Sequence, residues 1–141
     1  MILADSGFWY ALSASRDRYH KAAVRAAQKY AAETLVSTWP VINEVCYLIG
    51  DRSGSSKVIE FLEHAAAGAC SIMEVPPVSI VRMHRLMKKY ADLPMDLADA
   101  SLVVLAEELG EGRILSTDER DFRAYRWKNT KPFKNLLLTD G

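Results

Sequence analysis

Cysteine is nearly missing from this 141-residue chain: Cys46 and Cys70 stand far apart, outside any CxxC or Cys/His spacing. Neither suggests a zinc site or a disulfide framework, and both read as small buried hydrophobes of a reducing, cytosolic protein. Net charge is missing too, since 18 basic residues balance 18 acidic ones. No global field draws in nucleic acid or an acidic membrane, so any such binding must come from local patches. No apolar stretch approaches the roughly 18 residues that cross a bilayer, and Met1 leads directly into an apolar run without a basic leader. The expectation is a cytoplasmic chain with no membrane partner. Repeats, low-complexity tracts and linkers are lacking as well, so residues 1–141 are expected to form one domain. No Ser/His or Cys/His nucleophile pair is evident. His20, His64 and His84 lie on predicted helices away from every acidic block and read as surface or packing residues.

What remains is ordinary for a globular protein: 50% hydrophobic and 26% charged residues, enough for a substantial core. Short β-like runs alternate with helical periods. Strands are predicted at 2–5, 34–37, 70–75, 113–116 and 135–138. Helices are predicted at about 6–13, 16–32, 40–50, 55–67, 78–90, 95–109 and 119–122. Pro40 suits a first helical turn, while Gly68 and Gly110 suit helix ends. Strand–helix alternation of this kind predicts a three-layer α/β/α domain with a mostly parallel sheet.

Five acids interrupt this pattern. Asp5 closes the run Met1-Ile2-Leu3-Ala4, and Asp118 follows Ile114-Leu115-Ser116-Thr117. In open α/β sheets ligands sit beyond the carboxyl ends of strands, so these two can share a crevice if their strands are neighbours. Glu44 lies between Val41 (i−3) and Leu48 (i+4), at the border of an apolar stripe. Asp99 sits above Leu102, Val103 and Ala106, with Asp96 one turn earlier on the same side. Taken singly, Asp5, Asp96 and Asp118 are also explained as helix caps, Asp99 by the helix dipole and Glu44 as a solvated flank residue. Taken together, clustered carboxylates repel one another unless a cation joins them, and a hard divalent ion suits oxygen ligands.

These residues fall in four blocks: Ile2-Leu3-Ala4-Asp5-Ser6-Gly7, Pro40-Val41-Ile42-Asn43-Glu44-Val45, Leu93-Pro94-Met95-Asp96-Leu97-Ala98-Asp99-Ala100-Ser101-Leu102 and Ile114-Leu115-Ser116-Thr117-Asp118-Glu119-Arg120-Asp121-Phe122. In this order they resemble the PIN domain, and specifically the bacterial toxin ribonucleases of the VapC type. The resemblance implies RNA phosphodiester hydrolysis at an acidic Mg²⁺ or Mn²⁺ site. Asp5, Glu44, Asp99 and Asp118 would be its catalytic and metal-binding acids, and Asp96 an additional ligand or outer group. Gly7 departs from the Asn or Ser of many relatives. The resemblance further implies a VapB-like antitoxin, with Phe8, Trp9, Trp39 and Tyr47 as candidate groove residues, and a homodimer.

Two basic surfaces could meet RNA. From Arg113 to Lys134, seven basic residues are interleaved with Phe122, Tyr125, Trp127 and Phe133, which suits single-stranded RNA or, alternatively, aromatic packing on the sheet. Arg16, Arg18, Lys21, Arg25 and Lys29 form a second basic surface that also reads as a solubilising face. Two other function classes compete. A haloacid-dehalogenase-like phosphatase or phosphoacceptor would need a second acid two residues after Asp5, where Gly7 stands. A non-catalytic RNA- or protein-binding module would be favoured by missing acids, and none is missing.

Overall fold

The computed structural model describes residues 1–138. Five short strands form one parallel sheet: β1 (Ile2–Ala4), β2 (Leu35–Ser37), β3 (Ser71–Ile72), β4 (Arg113–Leu115) and, after a separate hairpin, a strand at Lys134–Asn135. The hairpin pairs β5 (Arg126–Trp127) antiparallel with β6 (Lys131–Pro132), which makes the last sheet strand β7. The sheet order is β3-β2-β1-β4-β7. Leu3 pairs with both Val36 and Ile114, and all three are fully buried. The chain winds outward from β1 on one side and returns to its other side with β4. The carboxyl ends of β1 and β4 therefore flank the point where the winding reverses, the usual place for a ligand in such sheets.

Helices α1 (Ser6–Ser13), α2 (His20–Lys29), α3 (Trp39–Ser53), α4 (Ser55–His64), α5 (Ile80–Lys89), α6 (Leu97–Leu109) and α7 (Glu119–Ala124) flank the sheet in a three-layer α/β/α arrangement. Helix α6 is packed against α3, α5 and β5, and Ala98 and Ala100 through Ala106 are all buried. A helix covered on every side needs no polar face, which is why its sequence reads apolar beyond the expected stripe. Gly110 ends it in the left-handed conformation (φ +65°), a geometry that costs glycine little.

Several boundaries differ from the sequence reading for local reasons. The helix expected from residue 16 begins only at His20, because the Asp17 carboxylate accepts the Tyr19 N–H (2.9 Å) and holds a turn. Helix α3 continues to Ser53, where Gly54 (φ +91°) stops it. The run 70–75 pairs with β2 only at Ser71 and Ile72. The final strand is Lys134–Asn135, not 135–138: the Asn135 amide donates to the Ser116 carbonyl (2.9 Å) and accepts the Ser116 N–H (3.2 Å), replacing further ladder bonds. The β5–β6 hairpin was not foreseen. Cys70 is buried as expected, and burial pushes its thiol up to about 11, while Cys46 is only half-buried.

Candidate active site

Each acid is placed by the element it begins or borders. Asp5 leaves β1 and caps α1, accepting the Ser6 N–H at 2.7 Å. Its other carboxylate oxygen accepts from the Ser116 hydroxyl (2.9 Å), just past the end of β4. Asp96 caps α6 through the Asp99 N–H (2.8 Å), and Asp118 caps α7 through the Asp121 N–H (2.9 Å). The capping explanation is thus correct for three of the five acids, yet it occupies only one oxygen of each.

All five line one cavity of about 360 Å³, together with Gly7 and Asp121. Asp5 is buried, Glu44, Asp99 and Asp118 are half-buried, and Asp96 is exposed at the rim. The Ser6 hydroxyl bonds Glu44 (2.9 Å) and also lies against Asp5 (3.4 Å), tying α3 to the end of β1. The buried Tyr125 hydroxyl donates to Asp99 at 2.8 Å. Gly7 is required by close approach, since a Cβ there would collide with the Thr117 side chain. The loop carrying Asp118 rests here against bare backbone.

The electrostatics are those of an unneutralised acid cluster. Burial, with further repulsion from Glu44 and Asp118, raises the Asp5 carboxyl to about 7 despite its hydrogen bonds from Ser116 and Ser6. Burial followed by repulsion from Asp5 and Asp96 raises Asp99 to about 8. Burial also raises Glu44 and Asp118. Among the described residues, no three acidic, imidazole or thiol groups already stand as a ready-made metal cluster. The donors fit a hard cation in kind, being oxygens alone. They line an open pocket rather than a closed cage, the arrangement Mg²⁺ accepts when it keeps water and shares substrate oxygens.

A family model of the PIN domain matches residues 2–128. The chain belongs to the PIN domain family. This PIN domain is similar to Ribonuclease VapC26 of Mycobacterium tuberculosis (strain ATCC 25618 / H37Rv), with 33% identity over 105 residues spanning 74% of this chain and 78% of that protein. Its fold is similar to that of Mycobacterium tuberculosis VapC20, described as a sarcin-ricin loop cleaving toxin. There the TM-score is 0.75 at 16% identity, over 85% of this chain and 92% of the other.

The structure corrects one reading of this PIN domain, decides another that was open, and adds one residue. Phe8 is fully buried and lines no open groove, and Trp9 (2% exposed) contributes only an edge to the wall of a neighbouring cavity. Both point inward because Phe8, Trp9 and Phe61 pack ring against ring and the Trp9 indole N–H bonds the buried Ser37. Trp39 and Tyr47 are exposed (58% and 68%). The aromatics of the basic C-terminal stretch are not stacking platforms: Phe122, Tyr125 and Trp127 are buried, and Phe122 meets Tyr125 and Phe133 edge to face. Arg113 there is spent on Glu33 and Glu111. The added residue is Asp121, buried in the pocket wall and bonded to the Arg120 guanidinium at 3.1 Å. Its signal was its place three residues after Asp118 in the fourth block.

Proposed function

We propose that this chain is a single-domain, divalent-metal-dependent endoribonuclease of the cytoplasm, the toxin of a toxin–antitoxin pair. The observation that carries this reading is the convergence of Asp5, Glu44, Asp96, Asp99 and Asp118 in one pocket beyond β1 and β4. The name of the similar Ribonuclease VapC26 points the same way. Asp5, Glu44, Asp99 and Asp118 form the catalytic set and, with Asp96 at the rim, hold Mg²⁺ or Mn²⁺. Such an ion, when bound, neutralises charge on phosphoryl oxygens and lowers the pKa of water. The chain's own residues orient the acids: Ser6 and Ser116 fix Asp5, Ser6 fixes Glu44, and Tyr125 fixes Asp99. The exposed Trp39 and Tyr47 on α3, and Val78, Ile80 and Val81 before and within α5, supply apolar area for an antitoxin and for a second copy.

The deciding experiment incubates the purified chain with structured RNA in Mg²⁺ or in EDTA, beside Asp5→Ala. Cleavage is expected only for the unaltered chain with Mg²⁺. Cleavage that persists in the variant would belong to a contaminant and overturn the assignment. Tyr125→Phe keeps the packed ring and removes only the hydroxyl on Asp99. It is expected to weaken Mn²⁺ binding, read by electron paramagnetic resonance, by about tenfold, with the melting temperature nearly unchanged. An unaltered Mn²⁺ affinity would show that Asp99 needs no such support.

A further inference from the structure

Five carboxylates explain how a cation is held but leave open how a polyanion approaches them. The same pocket is also lined by Arg18, Tyr19, Tyr10 and Arg52. The Arg18 guanidinium lies 4.7 Å from the centre of the Tyr19 ring, and that of Arg52 lies 4.8 Å from the centre of Tyr10. Both arginines are exposed. Among the described residues neither makes an ion pair or a hydrogen bond, whereas Arg82 and Arg113 are bound to carboxylates. Arginines beside so many acids, resting on rings instead of pairing with them, keep their donor forks unspent.

The second pair also marks a way out of the pocket. Tyr10 and Arg52 line both the acidic pocket and a neighbouring cavity of about 760 Å³, whose wall includes Arg16. The two hollows therefore adjoin along Tyr10, Asp17 and Arg52.

Resting on the nuclease reading above, we propose that Arg18 and Arg52, each laid over a tyrosine ring, grip the phosphates of single-stranded RNA at the rim of the acidic pocket, and that the strand runs over Tyr10 into the adjoining cavity. Guanidinium forks match phosphate oxygens, and the rings beneath them restrict the side chains before RNA arrives. A cationic rim also offsets the repulsion that a phosphate meets on approaching the acids. Base identity plays no part in such a grip, so it sets affinity and strand path rather than sequence preference.

The test measures binding, not cleavage: fluorescence anisotropy of a labelled single-stranded RNA in EDTA, across a salt series. The variants are Arg18→Ala, Arg52→Ala and Arg52→Lys, with Arg85→Ala, an exposed position on α5, as the control for lost charge. Arg18→Ala and Arg52→Ala are each expected to weaken binding about tenfold and to lower the salt slope by about 0.7. Arg52→Lys should recover the slope but not the full affinity, and Arg85→Ala should match the unaltered chain. Equal losses in all three alanine variants would overturn the grip, as would no RNA binding by the unaltered chain. So would Arg18 and Arg52 variants that bind RNA normally but lose a co-expressed protein partner, which would assign the rim to that partner. Arginine-dependent binding without Mg²⁺-dependent cleavage would sink the nuclease reading and leave the grip standing.

Discussion

Asp99→Asn is expected to reduce Mg²⁺-dependent RNA cleavage about a thousandfold while leaving the protein as stable as before, or more so. The loss follows from what the carboxylate supplies: a divalent ion contributes several kcal/mol of charge stabilisation in phosphoryl chemistry, and each 1.4 kcal/mol is about tenfold in rate. The stability gain follows from its surroundings. Asp99 is half-buried among Asp5, Asp96 and Asp118, and burial and repulsion both disfavour its ionised form. An amide of the same shape removes that repulsion and still accepts the Tyr125 hydroxyl hydrogen bond. Destabilising groups kept for activity are common at functional sites. Initial rates on a labelled RNA, paired with thermal melts in EDTA, check both halves. A variant that loses activity together with several degrees of melting temperature would show that Asp99 is structural.

The metal-free protein is expected to lose stability as pH rises from 5 to 8, and Mg²⁺ should restore it at the upper end. The sign comes from Asp5 and Asp99, held at about 7 and about 8 in the folded chain, far above the roughly 3.9 of an unfolded aspartate. Below pH 4 both states are protonated and these groups oppose nothing. Between 4 and 8 the unfolded chain gives up its protons first, so stability falls until the folded chain ionises as well. Glu33, Glu107 and Glu111 are shifted downward by Arg113 or Arg82. Their contribution is lost only as pH falls below the ordinary carboxylate range, outside this window. A tenfold change in proton affinity corresponds to about 1.4 kcal/mol and about 4 °C in a domain of this size. The measurement is the difference in melting temperature between the unaltered chain and Asp99→Asn across the pH series, with and without Mg²⁺. A difference that stays flat with pH would refute the account.

The sequence carried much of this architecture because several signals agreed. The apolar runs ending in Asp5 and in Ser116-Thr117-Asp118 marked the two strands whose ends build the pocket, and β1 and β4 are indeed adjacent. Gly68 and Gly110 both adopt positive φ at helix ends. Phe8 and Trp9 are groove residues only by resemblance, which carries no information on how the rings of this α1 pack. Packing between α1, α3 and Phe61 buries both. The aromatic run after Arg113 left two readings open, stacking on RNA or packing, and the second holds. Interleaved charges resembled an RNA surface, but the β5–β6 hairpin turns the rings inward and leaves the lysines of its turn over Trp127. Asp121 escaped notice since its neighbours Glu119 and Arg120 made it look like one charge among several. Nothing local in the sequence could place Arg52 beside Tyr10, because that contact joins helices forty residues apart.

The central place of β1 also shapes how the protein comes into being. Its first neighbour is residues 35–37, but its second is residues 113–115, and the pocket is closed only by Asp118 and Asp121 beyond them. A growing chain thus holds Asp5 more than a hundred residues before Asp118 and Asp121 are added. Contacts of such long sequence separation form late. A truncated product that ends before residue 113 lacks β4, Asp118 and Asp121 and cannot complete the pocket.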